Sequence, residues 1–441
     1  MSAKSNATAG KNSWMGAVPS SWDVKALKFC ADLVTERVDG SSDSGAAYVG
    51  LEHIESKTGR LVRAEGSQDS AESTVNRFQT GDVLFGKLRP YLAKAAVADL
   101  DGVCSSEILV YRPHGLAPQY LKHVLLLDGF IEEVNSSTYG SKMPRADASF
   151  ISRLPVPQPP IKEQIAIASY LDAETKRIDG LIEEKRGLLE LVEELRLSTI
   201  HDVITKGLRP NAPRTATGVP WIGDAPSHWT VMAIKRLSPV KRGASPRPID
   251  DQRYFDEGGE YGWVRIEDVS RSDGILNETS QTLSELGSSL SVKLEPGALF
   301  LSIAGTVGKP CIAGRKVCIH DGFVYFPDLD IDSRYLFRLF ESKLPFRGLG
   351  KMGTQLNLNT QTVGDIMIAL PPAHEMNEIV LYLEEKLGEF HELRAHVEQE
   401  YLFLTEMRAA TITDAVLGRI DVREQMPYMT AKSRTSQGST S

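Results

Sequence analysis

The chain carries the same message twice. Trp14-Met15-Gly16-Ala17-Val18-Pro19-Ser20-Ser21-Trp22 returns as Trp221-Ile222-Gly223-Asp224-Ala225-Pro226-Ser227-His228-Trp229. The copies stand about two hundred residues apart, far beyond a solenoid or propeller period, so each unit is a whole domain with its connector. The matches continue in order. Tyr48 to Ile54 matches Trp263 to Val269, Gly59 matches Gly274, and Gly81-Asp82-Val83-Leu84-Phe85 matches Gly297-Ala298-Leu299-Phe300-Leu301. Pro159-Pro160 with Glu163 and Tyr170-Leu171 matches Pro371-Pro372 with Glu375 and Tyr382-Leu383. Glu194-Leu195-Arg196 with Asp202 matches Glu406-Met407-Arg408 with Asp414. A duplicated domain on one chain suits a molecule that touches two similar sites at a fixed separation.

Residues 14–158 and 221–370 are rich in Gly and Ser and carry short apolar runs. Val83-Leu84-Phe85, Ile108 to Tyr111, Ala298 to Ile303 and Phe323 to Phe326 read as strands between turns. Helices are expected over Pro118 to Val134 and Ser333 to Leu344, which makes each segment a mixed α+β domain. Residues 159–207 differ. After Pro155-Val156-Pro157-Gln158-Pro159-Pro160 no proline appears until Pro210. Ile165, Ala168, Leu171, Ile178, Leu181, Leu188, Val192 and Leu195 recur at helical steps on one face. Residues 371–423 repeat the pattern with Ile379, Leu383, Leu387, Phe390, Leu393, Val397, Tyr401, Leu404 and Met407. Each helix would span about 65–70 Å at 1.5 Å per residue. A single-faced helix of that length calls for a partner, and the other copy supplies one as an antiparallel coiled coil. Residues 208–220 read as a linker and 424–441 as a disordered tail.

At 441 residues the chain is long enough for two to four domains, each with its own core. No apolar run approaches the roughly 18 residues of a membrane span, and Met1 to Ser13 has no signal-peptide core; a cytoplasmic protein is expected. Cys30, Cys104, Cys311 and Cys318 lack Cys-x-x-Cys spacing, which argues against structural zinc and fits a reducing compartment. The net charge of −8 divides unevenly: −1 over residues 1–160, −2 over 161–212, 0 over 213–370 and −5 over 371–441. The acidity sits mainly in the helical segments, so a local basic groove on either α+β domain is not excluded.

The sequence carries no recognisable catalytic constellation. Gly305-Thr306-Val307-Gly308-Lys309-Pro310 is too short for a phosphate loop and has Pro310 where Ser or Thr is needed, so a tight turn is the reading. There is no Asn-Pro-Pro-aromatic motif for base methylation. His391 and His396 are five apart on a helix, poor spacing for one metal, and His320-Asp321 is an isolated polar pair. No catalytic residue and no metal ligand is assigned.

Binding chemistry stands out instead. Lys87, Arg89 and Lys94 follow a strand of the first copy; Lys142 and Arg145 lie in Tyr139 to Arg145. Arg242 and Arg247 lie in the basic run Lys241-Arg242-Gly243-Ala244-Ser245-Pro246-Arg247. Gln355 and Asn357 lie in Gly353 to Asn359, where the second copy replaces the basic segment of the first. Arg and Lys neutralise phosphates, while Gln and Asn pair with adenine edges and Arg with guanine. Lys87, Arg89, Lys142, Arg145, Arg242, Arg247, Gln355 and Asn357 are therefore the candidate DNA-contacting residues, against the plainer reading of solvated loops.

Two divergent α+β domains, each introduced by Trp-x-Gly-x-x-Pro-x-x-Trp and each followed by a Pro-Pro-x-x-Glu helix, resemble the specificity subunit of type I restriction–modification systems. The resemblance runs from Trp14 to about Arg423. Met376 stands where that family usually has Gln, and Lys142-Met143-Pro144 replaces a Gln-x-Asn-like run. The resemblance implies that each domain reads one half of a split, asymmetric double-stranded DNA target. It implies that the long helices set the distance between the halves and dock two methyltransferase subunits, which carry S-adenosylmethionine and recruit restriction–translocase subunits. This chain itself would catalyse nothing and bind no cofactor. Linking two readers multiplies specificity when spacer geometry matches the target. The alternative is a non-DNA coiled-coil scaffold presenting two protein-binding domains.

Overall fold

The computed structural model describes residues 14–39, 47–62, 74–140, 142–347, 349 and 358–422. The segment 424–441 expected to be a tail, and the residues before Trp14, lie outside the described residues. The chain divides into two compact units: residues 1–186 with 399–441, and residues 187–398. The division falls inside both long helices, so each helix half belongs to the unit it packs on.

In the first unit Val83–Gly86 is buried along its whole length, between Ile108–Pro113 and Ala95–Val97. Both its faces are covered, so it reads as a continuous apolar run rather than an alternation. Ala31–Val34 completes this four-stranded sheet. A second sheet has the order Arg37–Asp39, Thr74–Phe78, Gly102–Ser105, Ala47–Val49, with the last pair parallel. Asp23–Ala26 pairs antiparallel with Pro155–Gln158 and leads the chain into the first long helix. The single helix expected over Pro118 to Val134 is two, Pro118–Leu125 and Asp128–Ser136. Leu127 adopts extended backbone between them. The run Val124-Leu125-Leu126-Leu127 is buried throughout and carries no polar break to mark the bend.

The second unit repeats the plan. Leu299–Ser302 lies between Phe323–Tyr325 and Pro310–Ala313. Tyr261–Val264 pairs parallel with Val317–Ile319, and Thr230–Ala233 pairs with Met367–Leu370. Gly81 and Gly297 enter equivalent strands at φ +90° and +89°, a backbone that only glycine adopts freely. The sheets differ at their edges. Arg37–Asp39 flanks Thr74–Phe78 in the first unit, whereas Gln281–Leu283 flanks Tyr261–Val264, at the opposite edge, in the second. Ile275–Leu276 adds a fifth strand to the other sheet of the second unit, beside Pro310–Ala313. Part of the linker is ordered, with Arg214–Ala216 paired to Asp224–Pro226.

The long helices run Ile161–Lys206 and Ala373–Val416, each starting just after a Pro-Pro pair that sets the helix entry. Within the first unit their segments are antiparallel: Arg408 reaches Asp179 at 2.7 Å and Lys185 reaches Glu400 at 2.7 Å. Within the second, Val192 and Arg196 lie by Phe390 and Arg394, while Gly207 lies beside Glu375, the same sense. Leu171, Ile178, Val192, Ile379, Leu383, Val397 and Leu404 are buried as the periodicity requires. Ile165, Leu195 and Leu393 are about half exposed and lie off the seam. The seam is narrower than the expected face because only part of each helix turn meets the partner.

One polar cluster, buried at Lys122 and His123 and half-exposed at Asp172, ties the first unit to its long helix. Asp172 on the helix accepts from Lys122 at 2.9 Å and from His123 Nε2 at 3.0 Å. Burial lowers the His123 pKa, against the opposing pull of Asp172, and its Nδ1 finds no hydrogen-bond partner among the described residues. A neutral ring donating through Nε2 satisfies both facts. Burial acts to raise the Asp172 carboxyl, but the hydrogen bonds from His123 and Lys122 outweigh it and hold it at about 2.

Both folded-state shifts are downward, so the unfolded chain binds the proton first and stability falls as pH falls. For His123 the loss begins near pH 6.5, at up to about 1.4 kcal/mol per pH unit; for Asp172 it begins near pH 4. His123→Gln keeps a donor for Asp172 and removes the titration. Thermal melts of the full chain from pH 8 to 4 should show the drop between about pH 6.5 and 5 reduced in the variant, with the steeper acid loss below pH 4 retained.

Candidate nucleic-acid interface

In the first unit the two basic segments named from the sequence meet. Arg89 N donates to Pro144 O at 2.8 Å, Ala146 N to Lys87 O at 2.9 Å, and Leu88 bridges Arg145. Tyr139 and Arg145 exchange a pair of backbone hydrogen bonds of 3.1 Å. Lys87, Arg89 and Arg145 thus sit on adjoining strands of backbone, with Lys142 at the exposed end. Tyr139, Met143 and Tyr91 expose about half or more of their surface in the same region. Aromatic faces beside cations are the composition of a nucleic-acid surface.

These cations are not equivalent. The Arg145 guanidinium is held by Glu107, with Nε 3.0 Å from both carboxylate oxygens. Lys87 is half-buried, and Arg89 and Lys142 are exposed. Lys94, the third cation after the strand, donates to Leu51 O at 2.6 Å. Lys309 at the matching place of the second unit also donates to backbone carbonyls, those of Ser270 and Ser272. Both lysines brace turns, and the Gly305-to-Pro310 segment is the structural turn expected of it.

Arg89 has φ +50°, in the left-handed region. The matching residue of the second unit is Gly305, at φ +63°. A side chain in that conformation costs on the order of 1–2 kcal/mol. Ala93 closes the same turn at φ +47°, after the 3-10 turn Pro90–Leu92.

In the second unit Asp321 organises the basic run. Its side chain accepts from Ser245 at 3.1 Å and pairs with Arg247 at 3.3 Å, while its carbonyl accepts from Arg242 Nε. Burial acts to raise the Asp321 carboxyl, but the Ser245 hydrogen bond and the two arginines keep it below its ordinary value. His320 packs its ring on Trp263 and Phe323, accepts from Gly322 N at 2.8 Å, and is kept neutral chiefly by burial. The His320-Asp321 pair is therefore structural. It lines an open cleft of about 660 Å³ together with Arg247, Arg265, Gln252 and Gln281.

Arg265 and Gln281 are not among the residues singled out by the sequence. Arg265 stands where the first copy has Gly50, and its guanidinium donates to Gln281 Oε1 at 2.5 Å. The available signal is that mismatch inside an otherwise matched motif. Gln355 and Asn357 lie outside the described residues. Asn359, at the end of their segment, is a helix cap: its Oδ1 accepts from Gln361 N and Thr362 N, both at 2.9 Å. Asp147 caps Ala148–Ile151 in the first unit the same way.

Among the described residues no group of His, Cys, Asp and Glu is placed to hold a metal ion, and no helix is long and apolar enough to cross a membrane. Burial raises the thiols of Cys311 and Cys318 to about 11.

The family model described as "Type I restriction modification DNA specificity domain" matches residues 62–191 and 226–400. The chain belongs to that family. It is 24% identical over 193 residues to the type I restriction enzyme EcoDI specificity subunit of Escherichia coli, covering 41% of this chain and 43% of that one. It is 24% identical over 257 residues to the MjaVIII specificity subunit of Methanocaldococcus jannaschii, covering 55% and 57%. The matches thus span about half the length of these relatives. A chain from a structure of type I R-M complex assembly and conformational transition shares the fold, with a TM-score of 0.76 at 22% identity over 92% of this chain and 100% of that one.

The uneven state of the cations gives a stability test. Arg145→Ala leaves Glu107 without its guanidinium in a half-buried place and should cost about 1 kcal/mol, discounted for the partial exposure of both partners. Lys142→Ala should stay within about 0.5 kcal/mol. Urea denaturation of the full chain measures both.

Proposed function

We propose that this chain is a non-catalytic, cytoplasmic specificity subunit that reads an asymmetric, bipartite double-stranded DNA target, one part through each unit. The observation that carries the reading is one architecture repeated with different polar side chains at matching positions. Arg89 stands against Gly305, and Gly50 against Arg265. Two similar but unlike readers on one chain favour a target of two unlike parts, whereas a homodimeric reader favours a palindrome. Family membership supports the DNA as target, because the family model is a DNA specificity domain.

The partners follow from the same reading. Two methyltransferase subunits, carrying S-adenosylmethionine, would dock on the long helices, and restriction–translocase subunits would join through them. Support comes from apolar side chains that these helices leave uncovered: Leu191, Leu195, Leu381, Leu393, Leu402 and Phe403 expose between 47% and 64% of their surface. The acidic faces contribute less than their sequence suggests. Glu193 is held by Arg196, which also binds Glu341; Glu183 pairs with Arg186 and Glu384 with Arg334. Glu184, Glu194 and Glu385 are exposed and remain suited to a basic partner.

Selection from randomised duplex DNA, with the full chain alone and together with a methyltransferase subunit, tests this function. Two short conserved blocks of different sequence, separated by an unconserved spacer, are expected. A single block would overturn the bipartite reading, and binding abolished by unrelated competitor DNA in both forms would favour the protein-binding scaffold instead.

A further inference from the structure

We propose that Arg89 is a base-reading residue of the first unit, addressing the major-groove edge of a guanine, and is not merely one of its phosphate contacts. The inference rests on the DNA-reading function proposed above and assigns it to one side chain. Three observations converge on this residue.

The first is its backbone. Arg89 occupies a left-handed position that the second unit fills with Gly305, so the turn itself asks for glycine and the chain carries arginine there. The residue is exposed, so packing does not account for the choice. A strained conformation kept at an exposed site points to what the side chain does.

The second is rigidity. Arg89 N is bonded to Pro144 O, Arg89 O accepts from Leu92 N at 2.9 Å, and Pro90 O accepts from Ala93 N at 2.8 Å. The direction in which the Arg89 side chain leaves the backbone is therefore preset. A phosphate is reached from many positions by a flexible lysine; bidentate pairing with guanine O6 and N7 needs a planar fork held in register.

The third is availability. Arg145 is held by Glu107 and Lys94 by a carbonyl. The Arg89 guanidinium has no hydrogen-bond or ion-pair partner among the described residues, and the exposed ring of Tyr91 stands two residues on in the same turn.

The test compares Arg89→Gly and Arg89→Lys in the full chain assembled with a methyltransferase subunit. Target preference is read by selection from randomised duplexes, affinity as a function of salt, and folding by thermal melting. Arg89→Gly, which restores the residue of the second unit, should melt at or above the temperature of the parent chain. Both variants should lose discrimination at one G·C pair in one half-site, by about 5- to 150-fold, with the other half-site unchanged. If Arg89→Lys kept the full preference, and Arg89→Gly weakened all sequences alike with a salt slope lower by about one, Arg89 would be a phosphate contact and the proposal would be wrong. A lower melting temperature in Arg89→Gly, with preference intact, would make the arginine structural and also overturn it. Absence of any sequence preference in the unsubstituted assembly would instead remove the parent reading.

Discussion

Each unit depends on one closure: its core is completed by the start of one long helix and the end of the other. In the first unit Ile167, Ala168 and Leu171 meet Ile412, Ala415 and Val416 in a single cluster. In the second, Met376, Ile379 and Leu383 meet Ile200, Val203 and Ile204. Matching tyrosines hold the junctions. The Tyr120 hydroxyl lies 3.1 Å from Val416 O and 3.4 Å from Pro157 O; the Tyr335 hydroxyl lies 3.4 Å from Ile204 O and 3.3 Å from Ala369 O. A carbonyl in the last turn of a helix has no intrahelical donor, so a buried one needs such a partner. Burial drives the pKa of both tyrosines far upward and keeps them as neutral donors. The repeated tryptophans complete the arrangement. Trp22 packs where Gly418 ends the second helix, and Trp229 where Gly207 ends the first, both glycines being left-handed.

The closure constrains positions more than residue types. Gln164, in the first turn of its helix, is buried, accepting from Ala117 N at 2.7 Å and donating to Pro159 O at 2.8 Å. The second copy puts Met376 there, buried in an apolar cluster. A fully bonded amide and an apolar thioether both leave no polar group unpaired, which is the condition a buried site imposes. His53 and Asp268 show the same latitude, each accepting the backbone N–H three residues before it.

What is legible in the sequence follows from the range of the signals. Duplication and helical period are strong and regional, and the Pro-Pro pairs mark helix starts, so the family, the α+β class and the presence of both long helices can be read directly, while the second helix ends at Val416 and does not run to the expected 423. The break after Leu125 escapes a reading by helical period because it falls inside an apolar run, and its one local sign is the Asp128-Gly129 pair that opens the next helix. Ile165, Leu195 and Leu393 are over-assigned to the seam because periodicity names a face and not its width. At the candidate interface, residue type names Arg89 and Arg242 as candidates but does not give their state. Whether a cation is spent on Glu107, Asp321 or a carbonyl depends on contacts between segments distant in sequence. Arg265 is hidden for a related reason, since its partner Gln281 comes from an edge strand placed differently from that of the first copy.

The two copies show how such a fold can change what it touches without changing what it closes upon. Val83–Gly86 and Leu299–Ser302 are covered on both faces, and Val83, Phe85, Leu299 and Leu301 lie in the cores that the long helices complete. Substitution there disturbs packing on every side. An edge strand or a turn has one free side, so it can be added, dropped or rewritten at little cost to the interior. The differences between the units lie at such places: Arg37–Asp39 against Gln281–Leu283, Ile275–Leu276 added to one sheet, and Arg89 against Gly305. The side chains that differ most between the units are thus the ones least tied to the helices, and divergence at the edges leaves the closure of each unit intact.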